Sequence, residues 1–251
     1  MTENHFPRTT MLTLTNPPVD LPRISLNPLG EFPFVTEAKK VEILADQRFG
    51  NDFKAPYYQS ASCATVRALK GHRLDPAEIL EEIDKLRRTA PRSDQHAAKL
   101  GNNIEMLTRF LKIKGELVPS AGDRRAVRRS ASLVLDGVTV SVRPEFIITD
   151  PRTGLFSLTK FRFSQSKVSG DASEIILLVL FKYGQQLVVP GFQLDPSATR
   201  LVDVHSGNII FAHTLPRIRE SQLQSALREI RHIWPNLKRP ELPRPPDHGQ
   251  N

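Results

Sequence analysis

The 251-residue sequence predicts an α+β (mixed α/β) protein in which a helical N-terminal half packs on a mixed β-sheet. Three observations carry that expectation. Apolar residues recur every three to four positions as far as Gly115, as amphipathic helices require. Beyond Gly115 they recur at every second position, the spacing of strands with one buried face. The stretch from Ser173 to Gln186, apolar nearly all round, then interrupts the strands as a buried helix.

Residues 1–33 carry Pro7, Pro17, Pro18, Pro22, Pro28 and Pro33 with no sustained period, so they read as a disordered, proline-rich arm. Residues 34–115 form the helical region, its last helix shared with the core that follows. Val41, Leu44 and Ala45 mark one helical face, and Cys63, Val66 and Leu69 a second. Asp75-Pro76-Ala77-Glu78 is a helix start, with an aspartate cap, proline at the first helical position and a glutamate that closes a capping box. That helix buries Ile79, Ile83 and Leu86 and stops at Pro91. A further helix from Asp94 to Lys112 aligns Leu100, Ile104, Leu107 and Leu111, with Gly115 just past its end.

Residues 116–237 read as the β-rich core. Leu133 and Leu135, then Val138, Val140 and Val142, flank Asp136-Gly137, the favoured dipeptide of a two-residue hairpin. A second hairpin turns through Asp150-Pro151-Arg152-Thr153-Gly154 into Leu155 to Phe163. A third joins Leu201–Val204 to Ile209–Ala212 about Ser206-Gly207, and Ile218 to Trp234 closes the core as an amphipathic helix. Residues 238–251, with Pro240, Pro243, Pro245 and Pro246, form a second disordered, proline-rich tail.

Lys and Arg number 35 against 27 Asp and Glu, a net charge of +8, which suits an anionic partner such as DNA. A single cysteine, Cys63, excludes an intrachain disulfide framework and fits a reducing compartment. Prolines interrupt the N-terminal stretch where a secretory signal needs an apolar core, and no apolar run reaches the roughly 18 residues of a membrane span. A cytoplasmic protein without membrane contact is expected. Cys63 and His72 lack a nucleophile's sequence context, His205 and His213 lack zinc-like spacing, and there is no Gly-rich phosphate loop.

Chemistry concentrates between Asp136 and Phe163. Three successive strands there bring Pro144-Glu145 and Lys160 to one polar face. Pairing Ile148 with Leu155 sets Glu145 opposite Leu158 and Lys160 opposite Arg143, since directly opposed residues share a face. A shift by one residue would turn every side chain to the other face.

The order helix, three strands, helix, strand pair, together with Pro144-Glu145, Lys160 and the helix from Ser173, resembles the PD-(D/E)XK nuclease superfamily, in particular its RecB-like branch. The resemblance spans about residues 94–212. It implies that Glu145 and Lys160 are catalytic, with Glu145 and a second acid holding Mg²⁺ or Mn²⁺ and Lys160 orienting the attacking water. Hard cations take oxygen ligands and stabilise charge in phosphoryl transfer. The family's second acid, two residues before the lysine, is Leu158 here. Glu105 on the preceding helix is the candidate replacement ligand, with Asp171 and Glu174 as further acids. Tyr183 matches a RecB-like tyrosine, but Val179 stands where the branch carries glutamine.

Arg124, Arg125, Arg128 and Arg129, with Arg143 and Arg162, are the candidate nucleic-acid contacts, placed to neutralise backbone phosphates. On the last helix Arg217, Arg219, Arg228 and Arg231 are partly offset by Glu220 and Glu229. Three readings stand open at this point. One is a metal-dependent nuclease; another is a nuclease-like fold that binds DNA without cutting it, Glu145 and Lys160 being a cross-strand charge pair worth about 0.2–1 kcal/mol. The third is a protein-interaction module with no nucleic-acid role, working through the proline-rich tails and the helical N-terminal half.

Overall fold

The computed structural model describes residues 21–50, 57–69, 75–117, 122–127, 129–164 and 169–239. Arg128, His72 and the proline-rich stretches 1–20 and 240–251 lie outside them. In chain order the elements begin with strand β1 (Arg23–Ser25) and helices α1 (Leu26–Glu31), α2 (Glu37–Phe49), α3 (Gln59–Ala68), α4 (Pro76–Arg88) and α5 (Asp94–Leu117). Strands β2 (Asp123–Ala126), β3 (Ala131–Leu135), β4 (Val138–Val142), β5 (Phe146–Asp150) and β6 (Leu155–Arg162) follow. Helix α6 (Gly170–Gln186), strands β7 (Gln193–Leu194), β8 (Arg200–Asp203) and β9 (Asn208–Phe211), and helix α7 (Ile218–Ile233) complete the chain. This is the α+β architecture that the change of period predicts.

Two sheets form. The larger runs β2-β5-β6-β8-β9, antiparallel except that β8 lies parallel to β6, with β7 also parallel to one end of β6. The smaller runs β1-β4-β3. Alternation along β6 divides the protein into two cores. Phe161, with Phe146 and Ile148 of β5 and Val202 of β8, packs against α3, α4 and α5 through Ala61, Ile83, Met106 and Phe110. Phe156 and Leu158, with Leu201, face the other way and pack with Ile175, Ile176 and Leu180 of α6, with α1, with α7 and with the small sheet.

Several local expectations are met for their stated reasons. Asp75 caps α4 by accepting from the Ala77 N–H, and Ile79, Ile83 and Leu86 are buried. Leu135 pairs with Val138, leaving Asp136 and Gly137 at φ 44° and 74°, the left-handed pair that a two-residue hairpin needs.

Five expectations are corrected. The arm assigned to residues 1–33 ends earlier, because β1 and α1 lie inside it: Ile24 adds a parallel strand to β4, and Leu26, Leu29 and Phe32 enter the core. Pro28 is tolerated because the first turn of a helix has no use for its N–H. Second, α5 runs to Leu117, through Gly115. Third, α3 buries Ala61, Ala64, Thr65 and Ala68, which turns Cys63 out to solvent, and α2 buries Leu44 and Ala45 while Val41 is exposed.

Fourth, the β3-β4 hairpin leaves the main sheet, and the strand that precedes β5 there is β2, containing Arg124 and Arg125. Alternating small and apolar residues identify a strand but not the sheet it joins. Fifth, the second hairpin closes at Asp150–Leu155 rather than Ile148–Leu155, so Ile148 faces Ser157. Gly154 at φ 67° permits a four-residue loop, in which Asp150 O accepts from Gly154 N–H and the Asp150 carboxylate from Arg152 N–H. The register moves by two residues, which preserves the faces.

Candidate functional site at the end of the central strand

The pairing of β5 on β6 ends at Phe146 and Thr159, and Glu145 stands just before it, preceded by Pro144. The backbone of Glu145 still bridges its neighbours: its N–H donates to Thr159 O at 2.9 Å, and its carbonyl accepts from Val127 N–H at 3.0 Å. Proline at 144 has no N–H to continue the ladder. The next β6 donor on that side, Phe161 N–H, is instead taken at 2.7 Å by Oε2 of Glu145 itself. The other oxygen, Oε1, accepts from Lys160 Nζ at 2.9 Å. Glu145 is 4% exposed and Lys160 8%.

The sequence pattern thus brings Glu145 and Lys160 together, on the face that β6 turns toward α6. Leu158, one pair along on that face, is 0% exposed and packs in the apolar core beside Gly184 of α6. It offers no oxygen. Glu105 does not come to Glu145. It lies on α5, whose Met106, Leu107 and Phe110 cover the opposite sheet face, and its carboxylate binds Arg109 at 2.8 Å. Asp171 and Glu174 at the start of α6 are held by Arg219 of α7. Among the described residues no group of three or more His, Cys, Asp or Glu side chains could hold a metal ion. The donors present do not fit Mg²⁺ or Mn²⁺, which need several oxygen ligands around one ion. One carboxylate, already bonded on both oxygens, does not supply them.

The arginines divide. Arg162 is 2% exposed, one of the largest fully buried side chains. Its Nη2 meets Glu31 Oε1 at 2.9 Å, and its Nη1 lies 3.9 Å from Asp203 Oδ1. No phosphate can reach it without breaking those contacts, which corrects its assignment to a nucleic-acid surface. Arg124 is half-buried, and burial lowers its pKa; Arg200 is lowered by burial first and by the Arg124 charge second. Arg125, Arg129 and Arg143 are exposed.

Glu31 and Asp203, the acids that hold Arg162, are absent from the sequence-derived site. Asp203 also accepts from His205 N–H and Ser206 Oγ, closing the β8-β9 turn. A signal for Glu31 existed: Leu26, Leu29 and Phe32 repeat every third residue behind Ser25, as in a short buried helix, and six nearby prolines masked it. Tyr183 is half-buried, with its phenol pKa raised by burial, and packs against the core that contains Val179. No helix among the described residues is long and apolar enough to cross a membrane. The chain matches no protein-family model, and no curated protein is similar to it.

Proposed function

We propose that this protein is a nuclease-like fold that binds DNA and does not hydrolyse it. What supports the fold kinship is the order α5, β2, β5, β6, α6, β8 around one mixed sheet, with Glu145 just ahead of β5 and Lys160 on the neighbouring β6. What supports the loss of hydrolysis is one observation above the rest. The Glu145 carboxylate is committed on both oxygens to its own sheet, to Lys160 Nζ and to Phe161 N–H. A buried carboxylate used in this way ends a β-ladder and neutralises a buried ammonium, and Leu158 fills the place of the second ligand with hydrocarbon. Lys160, in turn, has its charge tied to Glu145 rather than presented to a water molecule. The net charge of +8 supports an anionic partner.

The test is a pair of measurements. With Mg²⁺ or Mn²⁺ the parent protein leaves plasmid and single-stranded DNA uncut, and the Glu145→Gln, Lys160→Met double variant binds DNA as the parent does. Metal-dependent cleavage that disappears in Glu145→Gln would restore the hydrolytic reading. Failure of the parent to bind DNA at about 50 mM salt, where phosphate contacts are strong, would remove the DNA reading and leave the protein-interaction alternative.

A further inference from the structure

By sequence the last helix looks balanced, since Arg217, Arg219, Arg228 and Arg231 alternate with Glu220 and Glu229. The fold sorts these charges. Glu229 turns toward α2 and binds Lys40 at 2.7 Å. Glu220 binds Lys182 of α6 at 3.1 Å through one oxygen and accepts from Gln224 Nε2 through the other. Arg219 reaches Asp171 and Glu174 at the start of α6. Leu223, Ala226, Leu227 and Ile230 are buried in the core. What remains outward on α7 and the turn after it includes Arg217, Ser221, Gln224, Arg228, Arg231, His232, Lys238 and Arg239, all of them exposed.

Several exposed bases on the other helices are paired, although Arg88 of α4 and Lys112 of α5 are also exposed with no ion pair among the described residues. On α2 Lys39 is paired with Glu42, on α4 Arg87 with Asp84, and on α5 Arg109 with Glu105, each within one helical turn. On α7 both acids are partly exposed but engaged, Glu229 by Lys40 and Glu220 by Lys182 and Gln224, and among the described residues Arg217, Arg228, Lys238 and Arg239 are exposed and make no ion pair. The acid at its border, Asp136 of the β3-β4 turn, is engaged by Arg231 at 2.8 Å. The sixteen-residue helix spans about 24 Å at 1.5 Å per residue, and short polar groups, Ser221 and Gln224, lie between the bases.

We infer that the outward face of α7, through Arg217, Arg228, Lys238 and Arg239, is the surface that takes the sugar-phosphate backbone of duplex DNA. The inference rests on the DNA-binding reading above and moves its contact surface away from the Arg124–Arg129 run. Spaced cations interleaved with short hydrogen-bonding side chains match a regular row of phosphates. An anionic membrane is disfavoured because Leu223, Ala226, Leu227 and Ile230 of α7 are buried in the core, and the exposed Ile218 at its start is no apolar face to enter the acyl boundary.

The experiment follows fluorescence anisotropy of a labelled duplex of roughly 20 base pairs across a salt series. One variant carries Arg217→Ser, Arg228→Ser, Lys238→Ser and Arg239→Ser. A control removes equal charge elsewhere through Arg92→Ser, Arg125→Ser, Arg129→Ser and Arg143→Ser. Thermal melts establish that both fold. Each phosphate that the protein no longer neutralises lowers the slope of log affinity against log salt by about 1. The α7 variant is therefore expected to show a slope smaller by about 4 and to bind on the order of 100-fold more weakly near 0.1 M salt, with the control changing far less. Equal weakening in the two variants, or greater weakening in the control, would overturn the α7 assignment while DNA binding stands. No binding by the parent would overturn both. Parent binding to vesicles containing phosphatidylserine but not to the duplex would overturn the inference in favour of a lipid surface.

Discussion

Charge is handled in opposite ways at two places on this protein. At the end of β6, Glu145, Lys160, Arg162 and Asp203 are buried, and each has an opposing charge nearby. Along α7 and the turn after it, Arg217, Arg228, Lys238 and Arg239 are exposed and make no ion pair among the described residues. The first arrangement stabilises the fold only as a matched set and offers little to a ligand. The second adds almost nothing to the fold and is open to one. Residue type alone does not separate them, since both contain arginine and lysine at regular spacing. Burial and pairing do.

The largest expected effect breaks the matched set. Glu145→Ala leaves the Lys160 ammonium buried without its counter-charge and Phe161 N–H without its acceptor, and removing one partner of a buried pair typically costs about 3–5 kcal/mol. Urea denaturation should show a loss of that order. Glu145→Gln combined with Lys160→Met keeps an acceptor for Phe161 N–H and removes both charges, and should recover most of it. A loss under about 1 kcal/mol for Glu145→Ala would mean that the pair is solvated and available, as a catalytic pair would be.

The contrast between these residues also explains what could be read from the sequence. The period of Ile79, Ile83 and Leu86, the Asp75 cap and the Asp136-Gly137 turn act within a few residues, so α4 and the β3-β4 hairpin were legible. The pairing of Glu145 with Lys160 was legible as a shared face, although the register was displaced by two residues, because only the loop's backbone fixes where the hairpin closes. The partners of Arg162 were not legible. Glu31 lies 131 positions away, and no local pattern encodes a contact between elements that meet only after the sheet and α1 have packed. The engagement of Glu220 and Glu229 by other helices was hidden for the same reason, since it depends on where Lys182 and Lys40 sit.

A second, smaller disturbance acts near the buried set without touching a charge. Gly30 of α1 lies so close to α6 that a Cβ there would come within 2.3 Å of Ile176 Cγ1 and 2.8 Å of the Ala172 carbonyl oxygen. Gly30→Ala must push α1 off α6 and with it the adjacent Glu31, which holds Arg162. Overpacking of this kind costs about 1–3 kcal/mol. A stability unchanged or raised in denaturant titrations would mean that α1 is loosely seated and that Arg162 is not held in place from that side.

Lys40 sits between the two extremes, since it is a largely buried base whose partners reach the surface. Its bond to Glu229 first, and then its bond to Glu37, raise its pKa above the ordinary lysine value. A raised folded-state value gives stability that is fully present below the unfolded lysine pKa of about 10.4 and is lost as pH rises through the folded value. Stability should therefore show no Lys40 contribution to its slope near neutrality and should fall above about pH 10.4. Glu229→Gln should flatten that fall and cost about 0.2–1 kcal/mol at neutral pH, the range of partly exposed pairs. An equally steep alkaline fall in the variant would assign it to other groups, such as Tyr58, whose phenol is also raised by burial.

The smallest expected effect on stability is the one that most sharpens the comparison. Serine at positions 217, 228, 238 and 239 removes four exposed charges that make no ion pair among the described residues, so the denaturation free energy should move by no more than about 0.5 kcal/mol. Relief of repulsion along the stripe should, if anything, make that movement favourable. Set beside the loss expected for Glu145→Ala, an unchanged stability coupled to weaker DNA binding would separate the charges that hold this fold together from those it displays. A large destabilisation instead would mean that the exposed arginines are anchored to the body of the protein, and the two regions would then differ in degree rather than in kind.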